Sequence, residues 1–430
     1  MTFAVEIMGL GVFYKSRLLY PESNYCVSLD ALKLIATPFA AEFIIRQPFM
    51  QSSPVMKTKQ MPDKSLLSAI LLLIVFGWIM SFSASLAYFE SYSYFFKQTL
   101  FIVLGLTAGL VVLRTPISVL QKYSTPLFAL TLVLLVIVFF PKPIGHEVNG
   151  SARWINFIYF KFQPSELMKL SMILFMAGFL IRQEKDVRSP WMGFVKTLLI
   201  IGCADILLLL ETDFGAALIV SLSAMAMLFA AGSFLKQMSV VATGFVGMIA
   251  VLIVFNENRW IRLTSFWQDD LWLNTSSKVY QTQQALIGIA RGDWFGTGLG
   301  AGVQKYGLLP ERHTDMIFAV IGEELGVVGM LFVLFCFLFI LTKGFNIAQA
   351  ALKKGRKYSS YVAFGICTWF AMQITVNIGM NLGLLPPKGF TLPLLSYGGT
   401  SMIFAIISLA IILRIDMESN THYSKQRKYV

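Results

Sequence analysis

Ten apolar stretches, each close to the length a helix needs to cross a bilayer, constrain this chain more than any other feature. They lie near 65–88, 98–113, 125–140, 166–181, 193–210, 214–231, 238–255, 316–342, 361–384 and 392–413. About 20 apolar residues at 1.5 Å of rise each cover a hydrocarbon core of about 30 Å. No single soluble core could bury so much apolar chain. The composition agrees: 56% of residues are hydrophobic and 13% charged, against about 25% charged in soluble domains. Inside lipid only helices and closed barrels satisfy the backbone. A barrel would show alternating segments of about ten residues, and none is present. The expected fold is therefore an all-α polytopic membrane protein with about ten transmembrane helices. A long extracytoplasmic loop joins helices 7 and 8.

The net charge of +12 then reads as a topology signal rather than a nucleic-acid signal. With the N-terminus inside, roughly two thirds of the 35 Lys and Arg fall on inner segments, as the positive-inside tendency requires. Both termini are expected in the cytosol. The expected organisation is an N-terminal extension over 1–64, a transmembrane domain over 65–414 and a basic cytosolic tail over 415–430. Met50, Met56 and Met61 precede the first clear span, so the extension reads either as cytosolic or as an overextended start. Cys203, Cys336 and Cys367 sit in apolar runs, and Cys26 stands apart. No spacing suggests a disulfide framework or a zinc site. Three histidines, His146, His313 and His422, cannot build a metal cluster alone.

Two outer segments are long, 141–165 and 256–315, and connections of that length are usually functional or disordered. The first contains Asn149-Gly150-Ser151-Ala152-Arg153-Trp154-Ile155, then Phe162-Gln163-Pro164-Ser165-Glu166-Leu167-Met168-Lys169. Pro164 and Ser165 favour a helix start. Glu166 and Lys169, three apart, can pair on one helix face. They form either a structural ion pair or the wall of an outward cavity, since charge at a membrane boundary must be paired or wet. Glu211-Thr212-Asp213-Phe214-Gly215 joins the fifth and sixth spans, and Asp213 could cap the sixth. Asp205 has no evident partner. The second long segment holds Arg259, Arg262, Tyr280-Gln281 and Gln283-Gln284. Glycines at 292, 296, 298, 300 and 302 follow, then Leu309-Pro310-Glu311-Arg312-His313-Thr314-Asp315 and Gly322-Glu323-Glu324-Leu325-Gly326. Those glycines suit re-entrant backbone as well as a phosphate cradle. Asp315, where the loop enters the membrane beside Arg312 and His313, is either another helix cap or a reactive carboxylate. The last outer loop runs from Gly383 through Pro386-Pro387-Lys388-Gly389-Phe390-Thr391-Leu392-Pro393 to Ser396-Tyr397-Gly398-Gly399. Broken helix of this kind is tolerated where it lines a cavity or packs on protein.

Taken together, these strings resemble the SEDS family (shape, elongation, division and sporulation), from about Ser65 to Asp416. NGSARWI, FQPSELMKL, LPERHTDMIFAVIGEELG and LPPKGFTLPLLSYGGTS carry the resemblance. Gly322 before Glu323-Glu324, and the Lys388–Pro393 string, lean toward the FtsW members; Arg312 leans toward the RodA members. The resemblance implies a peptidoglycan glycosyltransferase. It would polymerise lipid II into glycan strands at the outer face of the bacterial inner membrane, at the division septum. A class B penicillin-binding protein of the FtsI-like transpeptidase type would be its partner, beside other division proteins. The essential aspartate of the family falls on Asp315, its tryptophan on Trp154 and its Glu/Lys pair on Glu166 and Lys169. One departure stands out: the family usually shows Gln-Pro-Asp-Leu-Gly where this chain has Glu211–Gly215.

The chemistry of such a transfer needs a base for the attacking hydroxyl and cations for a leaving pyrophosphate. Asp315 is the expected base. An ordinary aspartate is a weak one, and desolvation at the membrane edge would raise its pKa. Arg153, Arg259, Arg262, Arg312 and Lys388 are the outward cations. Trp154, Glu166, Lys169, His313 and Ser396 complete the expected substrate-binding set. No cofactor is demanded, although a divalent cation such as magnesium or manganese could assist; nucleic acid is not an expected partner. Inversion at the donor carbon, by single displacement, is expected. A lipid II flippase and a non-catalytic division scaffold remain alternatives.

Overall fold

The computed structural model describes residues 61–85, 92–140, 145–148, 151–156, 161–187, 192–233 and 277–420, with isolated positions between 239 and 254. Residues 1–60 of the expected extension over 1–64, most of the seventh span, Arg259, Arg262, and the end of the tail with His422 lie outside the described residues. So do Cys26 and the side chain of His146.

The helices are α1 Lys64–Ser85, α2 Tyr92–Arg114, α3 Ile117–Ile137, α4 Pro164–Arg182, the short α5 Glu184–Val187, α6 Met192–Leu210, α7 Phe214–Ala230, α8 Ser277–Gly292, α9 Ile317–Lys353, α10 Lys357–Asn381 and α11 Thr400–Asn420. Among the described residues seven are long and apolar enough to cross a membrane: α1, α2, α3, α4, α9, α10 and α11. The α7 helix is apolar but shorter, at 17 residues. Leu71, Leu72, Val103, Leu104, Val111, Leu130 and Val133 on α1–α3 remain exposed. That is the pattern of helices with one face on lipid. By contrast, nearly every residue of α4 is buried, which makes it a central post, packed by α3, α7 and α10.

Small residues set the close approaches. Gly105 and Gly109, four apart on α2, face α11; a Cβ on Gly105 would stand 2.7 Å from Ile406 Cδ1. Such small-residue spacing lets transmembrane backbones pack closely.

Two spans differ from expectation. The last begins at Thr400 rather than near 392 and runs to Asn420, because Pro393 and the Gly398-Gly399 pair cannot continue a helix. The eighth expected span runs on to Lys353 and breaks at Gly326, whose φ of 66° no helix contains. A break in a membrane helix frees backbone groups that must be bonded again. Residues 293–298 do this: Val327 N–H donates to Asp293 O (2.9 Å), Val328 N–H to Trp294 O (3.2 Å), while Thr297 N–H and Gly298 N–H donate to Glu323 O and Glu324 O. A Cβ on Gly292 would overlap the Gly322 carbonyl, and one on Gly326 would lie 2.5 Å from Trp294 O. The glycines therefore serve backbone-on-backbone packing.

The first long loop adds what periodicity did not anticipate, a three-stranded antiparallel sheet of β1 Gly145–Val148, β2 Ser151–Asn156 and β3 Lys161–Phe162. In it Gly145 pairs with Ile155, His146 with Trp154 and Asn156 with Lys161, with a bulge between His146 and Glu147. At the opposite end of the bundle, charges tie the helix ends together. Lys343 pairs with Asp63 (2.9 Å), Lys357 with Glu184 (2.8 Å), and Arg414 Nη1 donates to Leu113 O at the end of α2 (3.0 Å). Asp63 N–H donates to Asp416 at 3.0 Å.

Candidate active site

Four segments distant in sequence meet at one end of the bundle: β2, the 211–213 turn, the 309–316 loop and the 382–399 loop. Asp315 sits at their junction. It is half-buried, one residue before Met316, the N-cap of α9, and no side-chain cap bond is made there. The cap alternative for Asp315 is thereby removed. Its carbonyl accepts from Asn377 Nδ2 (3.0 Å) and Asn381 Nδ2 (2.9 Å). Among the described residues, no hydrogen bond reaches its carboxylate. Gly389 comes so close that a Cβ there would be 3.6 Å from Asp315 Oδ2. Burial, and next the Glu311 charge, push its pKa up to about 7, with Arg153 pulling the other way. A carboxylate with that pKa is half ionised at neutral pH and a far better base than an ordinary aspartate.

Arg153 links Asp315 to the turn between α6 and α7. Its Nη2 donates to Thr212 O at 2.7 Å and its Nε to Glu211 O at 3.4 Å. Thr212 in this turn adopts φ 60°, which is uncommon and costly for a β-branched residue. Asp213 is fully committed. Its Oδ1 accepts from Ala216 N–H (3.1 Å), capping α7 as expected, and its Oδ2 accepts from Ser165 Oγ (2.9 Å) and Gln163 Nε2 (3.3 Å). Glu211 differs: it is 0% exposed, and neither carboxyl oxygen has a hydrogen-bond partner. Burial first, and Asp213 next, push its pKa up to about 9 against the pull of Arg153.

The remaining candidates fall into two groups. Lys388 is exposed beside Gly389, its Nζ 5.6 Å from the Phe214 ring centroid. Arg312 is half-buried. The His313 ring stacks on Tyr94 at 5.2 Å and 15°, and its carbonyl accepts from Tyr397 N–H at 2.8 Å. Burial, then the Arg312 charge, lower its pKa to about 4, so it is neutral at pH 7. Trp154 is half-exposed on β2.

By contrast, Glu166 and Lys169 are buried and paired at 2.8 Å. Lys169 also donates to Gln373 Oε1 (3.3 Å) and lies 4.9 Å from the Trp369 ring centroid. Gln373 donates on to Thr391 O at 2.7 Å. Ser396 is buried too, its Oγ accepting from Leu392 N–H at 2.6 Å. The geometry uses these three to brace the last loop.

Sequence reasoning missed several residues. Asn377 and Asn381 lay hidden in an apolar run, Tyr397 in a string read for other reasons, and Tyr94 between the first two spans, where nothing was read. Asp205, left without a partner, accepts from Ser221 Oγ on α7. Glu323 and Glu324 are engaged structurally. Glu323 accepts from Val303 N–H (2.7 Å) and Arg291 (3.1 Å), and Glu324 from Lys305 (2.8 Å) and Ser83 (2.6 Å). Among the described residues no three His, Cys, Asp or Glu side chains converge as metal ligands.

This is a polytopic helical membrane protein whose end loops gather, among the described residues, two desolvated carboxyl groups without hydrogen bonds, Asp315 and the sealed Glu211, beside several cations. The chain belongs to the FtsW/RodA/SpoVE family of cell cycle proteins, whose model matches residues 64–421. It is 41% identical to a protein named probable peptidoglycan glycosyltransferase FtsW from Legionella pneumophila, over 86% of this chain and 94% of that one. Among solved structures it is similar to the rod shape determining protein RodA of Thermus thermophilus, at 25% identity and TM-score 0.61, covering 84% and 98% of the two chains. It is also similar to a chain from a study of how a peptidoglycan synthase complex coordinates polymerization and crosslinking, at 25% identity and TM-score 0.68, covering 84% and 99%.

Proposed function

We propose that this chain polymerises lipid II into peptidoglycan glycan strands at the outer face of the bacterial cytoplasmic membrane during division, with a class B penicillin-binding protein as partner. The 4-hydroxyl of the acceptor GlcNAc bonds to C1 of the donor MurNAc, and its proton passes to Asp315. The bond from C1 to the undecaprenyl pyrophosphate breaks with its electron pair, inverting the carbon. The pyrophosphate leaves as an anion and needs charge neutralisation rather than a proton; Arg153, Arg312 and Lys388 supply it. Trp154 and neutral His313 present flat faces suited to sugar. Glu166, Lys169 and Ser396 hold the loop that carries Lys388. The end of the bundle bearing Asp315 faces outward, both termini lie in the cytosol, and the protein works at the septum. Residues 1–64 form a cytosolic extension, 65–414 the transmembrane domain and 415–430 the basic tail.

The observation that carries this reading is Asp315: desolvated, without a hydrogen bond at its carboxylate among the described residues, and near Arg153. The test is polymer formation from purified lipid II with a cognate class B synthase, comparing the native chain with Asp315→Asn. We expect glycan from the native complex and none from the variant, with partner binding intact. Equal polymer from both would make Asp315 structural. If neither makes polymer in an intact complex while the native chain translocates lipid II in vesicles and Asp315→Asn does not, the protein is a flippase.

A further inference from the structure

We infer that Asn377 and Asn381 are positioning residues for the transfer reaction, holding Asp315 against the loop that bears Lys388. This rests on Asp315 being the base of the proposed reaction. The two asparagines stand four apart, one turn of α10, and both are 0% exposed. A buried amide at the end of an apolar helix is costly unless its donors and acceptor are used, and here each use leads to the same place. Asn377 Nδ2 donates to Asp315 O (3.0 Å) and to Phe390 O. Asn381 Nδ2 donates to Asp315 O (2.9 Å) and also reaches Asn377 O (2.9 Å) and Oδ1 (3.3 Å).

Asn381 Oδ1 accepts from Ala319 N–H at 3.0 Å, an amide in the first turn of α9 that it shares with the Met316 carbonyl at 3.1 Å. One amide pair thus binds three things: the backbone of Asp315, the first turn behind it and the carbonyl after Gly389. The next residue back in the loop is tied to the same helix, since Lys388 N–H donates to Met380 Sδ at 2.9 Å. Among the described residues the carboxylate of Asp315 makes no hydrogen bond, so the clamp on its carbonyl is what holds the residue in place. Phe390 extends the clamp to α7: its ring carbons stand 3.0 Å from where a Cβ on Gly215 would be.

A base must meet its hydroxyl within about 2.6–3.2 Å, and a shift of about 1 Å can cost about a hundredfold in rate. Loss of one amide leaves the other on the Asp315 carbonyl. Asn377→Ala is therefore expected to lower kcat about tenfold with KM for lipid II little changed. Asn377→Ala/Asn381→Ala should lower it to the level of Asp315→Asn. Asn377→Asp keeps the shape but sets an acceptor against two carbonyls, and should lose at least as much as Asn377→Ala. Asn377→Ser, which retains a donor, should recover part of the rate.

These variants would be measured in the complex with the class B synthase, alongside Tm and partner binding, and across pH. Expected is a kcat loss that does not track Tm and a displaced acid limb of the rate profile. A folded, partner-bound Asn377→Ala/Asn381→Ala variant with native kcat overturns the inference; so does a kcat loss that follows Tm across all variants. If Asp315→Asn itself polymerises normally, the underlying reading fails instead, and the two failures are distinct.

Discussion

Replacing Glu211 by glutamine should make the protein more stable, by an amount that grows with pH. The side chain is completely buried, and no donor meets either carboxyl oxygen. Arg153, the nearest cation, spends its hydrogen bonds on the Glu211 and Thr212 carbonyls. The pKa rises from an ordinary 4.5 to about 9. An acid whose folded pKa is raised binds protons more tightly when native. Below its unfolded value the group costs nothing, and stability is lost as pH rises from there to the folded value. Each pH unit in that window costs about 1.4 kcal/mol. At pH 7 the window is two and a half units deep, so the native chain carries a penalty of about 3 kcal/mol. Near pH 9 it reaches about 6 kcal/mol. A glutamine of the same shape has no proton to take up and escapes this cost. Thermal unfolding of the native chain and Glu211→Gln in detergent, between pH 4.5 and 9, reads it directly. Coincident Tm values near pH 4.5 and a widening gain for the variant above pH 6 are expected. A variant that is equal or weaker at pH 8 would refute the reasoning and place an ionised Glu211 on Arg153.

Three further outcomes follow from the same geometry. The polymerisation rate should rise as pH increases through about 7, the value to which burial brings Asp315. Arg153→Met should move that acid limb upward, because Arg153 holds the pKa down; a flat profile from pH 5.5 to 8.5 contradicts this. Lys169→Met strands Glu166 in a buried site and should destabilise by about 3–5 kcal/mol, whereas Glu166→Gln/Lys169→Met should recover most of it; denaturant or thermal unfolding checks both. Gly292→Ala drives a methyl into the Gly322 carbonyl and should sharply reduce the yield of folded protein. Gly202→Ala, with nothing within 4 Å of the new Cβ, should be silent; comparable yields by size-exclusion chromatography for both would contradict the packing account.

Much of the fold was legible because it is local. The apolar runs at 65–88 and 166–181 nearly coincide with α1 and α4, since spanning length is written in consecutive residues. The polar strings that define the site were also legible, down to Asp213 as a helix cap. The hairpin of β1 and β2 was not read, although Asn149-Gly150 between paired strands is the short-range signal for such a turn. The start of the last span was misplaced because hydropathy continued through 392–399 while Pro393 and Gly398-Gly399 forbade helix. Asn377 and Asn381 were invisible: in sequence they are two polar residues in an apolar helix, and only the approach of Asp315 and Phe390 gives them a task.

The sequence by itself determined that the chain is a helical membrane protein and where several of the described spans fall. Glu166 finds its donor one turn away in Lys169, but tertiary structure decided what the other acids do. Asp213, Glu323 and Glu324 find donors brought from other helices and loops, Glu211 is sealed away from them, and Asp315 is held by its backbone, with no hydrogen bond at its carboxylate among the described residues. The physical reason is that a carboxyl group's chemistry is set by its solvation and its partners, and both are supplied by residues far away in the chain.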